Sequence, residues 1–130
     1  MRKLLLASST LLAVLAGGSF TATAGPIDGT WSGGGYVQVT DGKRENVRCR
    51  VTYSRQSDKV FSVKAVCASP SNKIHQTGEV LKVSEDRYVG DFYNPQFDIS
   101  GRVRVSISGS SQTVSFKSAS GYGSMSLKKR

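Results

Sequence analysis

The sequence predicts an all-β fold, an antiparallel up-and-down β-barrel of about eight strands, with a β-sandwich as the alternative arrangement of the same strands. Three observations predict it. From Gly29 onward apolar and polar residues alternate with period two, and no stretch shows the three-and-four apolar spacing of a helix. Turn signals recur about every dozen residues, so neighbouring strands meet through short hairpins. Many of the 14 glycines fall at inward positions (33, 35, 78, 90, 101 and 123), which suits the bends and close packing of a small barrel. Closure also removes two exposed sheet edges, which favours the barrel over the sandwich.

Each strand follows from the alternation. The first places Trp31, Gly33, Gly35, Val37 and Val39 inward and Ser32, Gly34, Tyr36 and Gln38 outward, and Asp41-Gly42 marks a hairpin. In the second, Val47, Cys49, Val51 and Tyr53 face in while Arg48, Arg50 and Thr52 face out. After Gln56-Ser57-Asp58 the third strand turns Phe61, Val63, Ala65 and Cys67 inward. A hairpin centred on Asp58 sets Cys49 opposite Cys67, within disulfide reach. The fourth strand carries Ile74, Gln76, Gly78 and Val80 on its inner face, then changes phase at Leu81 and Val83, which predicts a bulge near Gly78. Past Glu85-Asp86, the fifth strand places Tyr88, Gly90 and Phe92 inward. A connection over Tyr93-Asn94-Pro95-Gln96 leads into the sixth, with Phe97, Ile99, Gly101, Val103, Val105 and Ile107 inward. Gly109-Ser110 turns into a seventh strand with Val114 and Phe116, and Gly123, Met125 and Leu127 form the eighth.

Residues 1–24 read as a secretory signal peptide, leaving 25–130 as a single barrel domain. Arg2 and Lys3 precede an apolar run from Leu4 to Leu15, and Ala22-Thr23-Ala24 supplies an A-x-A cleavage site. The run is too short to span a bilayer, and Gly18 stands where a lipoprotein box needs its cysteine. Export to the periplasm or the exterior favours the Cys49 to Cys67 disulfide. The full chain carries 18 Lys and Arg against 9 Asp and Glu, a net +9. Loss of Arg2 and Lys3 leaves +7. An outer wall bearing Arg48, Arg50, Lys64, Arg102, Arg104 and Lys117 excludes a lipid-facing barrel.

Composition and motifs argue against several chemistries, and the charge suggests a partner. Two cysteines and one histidine, His75, cannot build a four-ligand zinc site, so no metal or other cofactor is expected. No nucleophile-elbow pattern accompanies His75, and Asp91 and Asp98 face outward, so no catalytic residue and no enzymatic activity are expected. Arg48, Arg50, Lys64, Arg102 and Arg104 form a candidate basic face for an anionic envelope polymer or an acidic protein. Nucleic acid is not an expected partner, because the sheet lacks interleaved aromatic and basic residues. Tyr93, Asn94, Pro95 and Gln96 form a candidate binding loop. Trp31, Tyr36, Tyr53, Tyr88 and Phe116 are candidates to line a cavity for an apolar molecule, although strands of about seven residues favour a filled interior.

The run Gly29-Thr30-Trp31-Ser32-Gly33-Gly34-Gly35, the two cysteines and Gly90-Asp91-Phe92-Tyr93-Asn94 resemble small exported proteins of rhizobia and related alphaproteobacteria. That resemblance covers nearly all of residues 25–130 and implies no activity. Gly-Thr-Trp is similar to the first strand of avidin-type barrels, and size with one disulfide is similar to periplasmic inhibitors of proteases and lysozymes. The resulting expectation is a non-enzymatic periplasmic or secreted binding module that engages an anionic envelope component. The alternatives are an inhibitor of a secreted hydrolase and a carrier of a small apolar ligand.

Overall fold

The computed structural model describes residues 27–130. The expected signal peptide and its cleavage site lie outside the described residues. Eight antiparallel strands form a closed barrel in sequence order: β1 (Gly29–Val39), β2 (Arg44–Arg55), β3 (Val60–Ala68), β4 (Lys73–Ser84), β5 (Arg87–Asn94), β6 (Ile99–Ser108), β7 (Ser111–Ser118) and β8 (Gly121–Lys129). β8 pairs back onto β1 from Trp31↔Lys129 to Val39↔Gly121, which closes the sheet. Every strand therefore has two partners, and the alternation in sequence becomes an inside and an outside.

β1 and β8 approach closely because of two glycines. A Cβ at Gly33 or Gly35 would collide with the backbone carbonyls of Ser126 and Ser124. The absence of side chains there lets the two ends of the sheet meet and coil. The β2–β3 hairpin sets Cys49 opposite Cys67, and the two form a disulfide across the pair. Hairpin arithmetic in the sequence thus gave the register of the bridge.

Two strand boundaries differ from expectation. β4 pairs regularly through Gly78, and its register shifts between Lys82 and Ser84 instead. Leu81 and Val83 simply continue the outward row, 45% and 54% exposed. Their apolar character had imitated a phase change. β6 begins at Ile99, two residues later than the alternation predicts. Asn94 Oδ1 accepts the Phe97 N–H at 3.0 Å, and Asp98 takes a positive φ of 52°, so Pro95 to Asp98 form a turn. The side-chain bond draws the Phe97 amide away from the ladder.

The strands run from 8 to 12 residues, longer than about seven, and only one half of their length encloses a filled core. That half lies at the end holding the β2–β3, β4–β5 and β6–β7 turns. Trp31, Phe61, Tyr88 and Leu127 are 0–1% exposed there, and Ile27, at 0%, enters beneath them from the segment before β1. Trp31 Nε1 donates to the Ile27 carbonyl at 2.9 Å, which fixes that segment across the barrel end. Phe61 and Tyr88 meet edge to face at 5.5 Å.

Candidate functional site

The opposite half of the barrel holds a chamber of about 260 Å³, open toward the β1–β2, β3–β4, β5–β6 and β7–β8 turns. Its wall is almost wholly apolar. Val51, Tyr53, Val80 and Val114 belong to the buried floor, while Val37, Ile74, Ile99 and Phe97 stand nearer the mouth. The expected filled interior is therefore corrected to a barrel closed at one end and hollow at the other.

The hollow has a cause in the sequence. Phe92 is the cross-strand partner of Gly101, and Phe116 is the partner of Gly123. A Cβ at either glycine would strike the ring of its partner, so each phenyl group lies over a bare stretch of wall. The two rings meet edge to face at 6.2 Å. Aromatic volume that would fill the centre is thus folded against the side. Glycine makes the room, and the neighbouring ring takes it.

Tyr53 marks the boundary between the two halves. Its hydroxyl donates to Gln112 Oε1 at 2.6 Å, and Gln112 is 2% exposed. Burial pushes the Tyr53 phenol well above the ordinary tyrosine range, so it stays a neutral donor. Burial, reinforced by the carboxylates of Asp28 and Glu85, also raises Tyr88. The disulfide sits in the wall, since Cys49 and Cys67 both line the chamber. At the mouth, Ser71 Oγ lies 2.9 and 2.8 Å from the two Glu45 carboxylate oxygens, tying the β3–β4 turn to β2. Those hydrogen bonds from Ser71, with one from Ser69, hold the Glu45 carboxyl below the usual carboxylate range.

The predicted site residues are distributed differently from the expectation. Of the five candidate cavity aromatics, Tyr53 and Phe116 line the chamber. Trp31 and Tyr88 pack the closed end, and Tyr36 faces outward against Tyr122, with the Arg44 guanidinium 3.9 Å from its ring centre. The basic residues do not make one face. Arg48, Arg50 and Lys64 share the adjacent strands β2 and β3, whereas Arg102 and Arg104 lie on β6, with β4 and β5 between. Arg102 stands 3.5 Å from Asp91, both side chains being largely exposed. The closed topology turns what reads as one charged surface into two walls.

The candidate loop is likewise divided. Tyr93 points outward, 53% exposed, and its hydroxyl donates to Asp98 Oδ1 at 3.2 Å. Asn94 points inward, only 4% exposed, in the chamber wall. Pro95 and Gln96 remain exposed in the turn. Sequence reasoning missed Asn94 as an interior residue because it assigned the position to a connection. Continuing the inward series of Tyr88, Gly90 and Phe92 by one step would have placed it.

No family model matches the chain, and no curated protein matches it. Solved β-barrels do. The chain is similar to EF1p2_mFAP2b bound to DFHBI, with a TM-score of 0.68 at 14% identity, covering 80% of this chain and 94% of that one. It is similar to the redesigned β-barrel mFAP1 bound to DFHBI, with a TM-score of 0.65 at 15% identity over 80% and 94% of the two chains. Rv2717c from M. tuberculosis gives a TM-score of 0.51 at 12% identity over 81% and 93%. At these identities the likeness establishes the barrel fold and leaves function to the site.

Proposed function

We propose that the protein is an exported, non-enzymatic carrier that takes one small, uncharged, mostly apolar molecule into the open half of its barrel. The observation that carries this reading is the apolar chamber of about 260 Å³ with a mouth at one end. An apolar cavity of about 150 Å³ accommodates benzene. A chamber of this size therefore suits a molecule of about two fused rings. Charge is disfavoured, because a carboxylate or ammonium on that wall would lose its hydration without a counter-ion. The barrels described with DFHBI support the capacity of the fold to bind a small molecule.

Export is supported by the leader pattern of residues 1–24 and by the disulfide, which persists in an oxidising compartment. The carrier reading fits the geometry better than an anionic polymer on a basic face, since the five cations occupy two separate walls. It also fits better than a hydrolase plug, since Tyr93 and Asn94 point to opposite sides of the sheet.

Calorimetric titration of residues 25–130 with naphthalene tests the proposal. Saturable one-to-one binding with a negative heat-capacity change is expected. Absence of saturable binding, or binding that survives when the chamber is filled by a larger side chain, would overturn it.

A further inference from the structure

Two amide side chains, Gln76 and Asn94, lie in the largely apolar chamber wall. Thr77 pairs with Tyr93, so the next inward positions set Gln76 opposite Asn94 near the mouth. The backbone fixes how each amide points. Gln76 Nε2 donates to the carbonyls of Tyr93 at 2.6 Å and Thr77 at 2.8 Å, which uses both of its hydrogens. Its Oε1 is left as an acceptor with no hydrogen bond among the described residues. Asn94 Oδ1 accepts the Phe97 N–H at 3.0 Å, so its Nδ2 is the remaining donor, again with no hydrogen bond among the described residues. Asn94 is only 4% exposed. Asn94 Nδ2 is not sealed inside the wall, so in the chamber lining this unpartnered donor is open to whatever enters.

We propose that Gln76 and Asn94 recognise an uncharged amide or lactam edge on the ligand, Gln76 Oε1 accepting its N–H and Asn94 Nδ2 donating to its carbonyl oxygen. The proposal rests on the chamber being a ligand site and names the polar group that the site takes. A hydrocarbon leaves both amides unpaired. A carboxylate satisfies Asn94 but meets the Gln76 oxygen with like polarity. A neighbouring N–H and C=O on one ring edge satisfies both groups, as side-chain amides do when they read an adjacent donor and acceptor on a base. The rest of the ring system then rests against the valines and phenylalanines below.

The test compares 2-quinolinone, 2-naphthol and naphthalene, three two-ring probes, by calorimetry on residues 25–130. The lactam is expected to bind at least about tenfold more tightly than either other probe, as two net hydrogen bonds allow. Gln76→Met keeps side-chain length and removes the acceptor, and it is expected to bring 2-quinolinone to the level of naphthalene measured on the same variant. Asn94→Asp keeps the oxygen that holds the Phe97 N–H and removes the donor, and it is expected to abolish the lactam preference independently. Equal affinity for lactam and hydrocarbon in the wild-type protein would overturn the assignment, as would a preference that survives both substitutions. Equal affinity for 2-naphthol and 2-quinolinone would overturn the amide edge in favour of a hydroxyl. Failure of naphthalene itself to bind would bring down the carrier reading, whereas naphthalene binding without lactam preference would bring down this assignment alone.

Discussion

Ala65→Leu offers a test of the hollow interior in which the sign of the effect decides. Ala65 lies inward on β3, 9% exposed, paired with Val51 and Gln76, and its methyl group faces the chamber. Leucine adds three carbons, half of the six in the benzene that a cavity of about 150 Å³ accommodates. At ~0.8 kcal/mol per buried methylene the transfer contributes about 2.4 kcal/mol. Fixing the longer side chain costs about 0.5–1 kcal/mol, which leaves a net gain of about 1.5 kcal/mol. For a domain near this size, that gain corresponds to a rise of about 6–12 °C in the melting midpoint. In a closely packed core the same change would cost about 1–3 kcal/mol through displaced neighbours. Urea unfolding followed by the fluorescence of Trp31, which is buried at the closed end and does not line the chamber, reports the difference. An increased midpoint at unchanged m-value, with loss of naphthalene binding, is the expected result. A lowered midpoint would refute the hollow interior and the carrier reading with it.

Three further outcomes follow from the same geometry. Replacing both Cys49 and Cys67 by Ala releases an 18-residue separation, which the chain-entropy model values at roughly 3 kcal/mol; urea unfolding should show a loss of that order, and a loss under about 1 kcal/mol would count against the model. Tyr53→Phe removes the 2.6 Å bond to Gln112, whose Nε2 already lacks a hydrogen-bond partner among the described residues, and should cost about 1–3 kcal/mol in the same assay. Because the folded Tyr53 phenol is raised, its contribution is fully present below the unfolded pKa near 10 and is lost as pH rises through the folded value; a wild-type minus Tyr53→Phe absorbance titration should stay silent at about pH 10. Glu45 behaves with the opposite sign. Its lowered carboxyl stabilises the β3–β4 turn above the unfolded carboxylate pKa and loses that effect as pH falls through the folded value, so the melting difference between wild type and Glu45→Gln should shrink as the pH falls below the ordinary carboxylate range. A carbon-detected NMR titration of Glu45 with its midpoint at or above the ordinary carboxylate value of 4.5 would contradict the turn contact.

Much of the barrel was legible because its information is local. Period-two alternation identifies strands, turn residues delimit them, and a hairpin of known centre fixes register, as the opposition of Cys49 and Cys67 demonstrates. Boundaries were harder where a side chain competes with the ladder. Asn94 captures the Phe97 amide and delays β6, an event that alternation does not encode. The basic residues are divided between two walls for a different reason. Alternation says that Arg48 and Arg104 both face outward, but only closure of the sheet says that they face outward in different directions.

The chamber shows where side-chain counting stops being sufficient. The expectation of a filled interior rests on strands of about seven residues, and strand length ignores where each inward ring points. Phe92 and Phe116 each stand opposite a glycine, so the lowest-strain place for the ring is the bare wall beside it. Trp31 and Phe61 have their volume at the closed end, where Ile27 completes the packing. Paired register therefore determines whether an inward aromatic closes a barrel or opens it. The same cross-strand logic places Gln76 against Asn94, two polar residues that pattern alone leaves on separate strands, and makes the open end chemically selective as well as apolar.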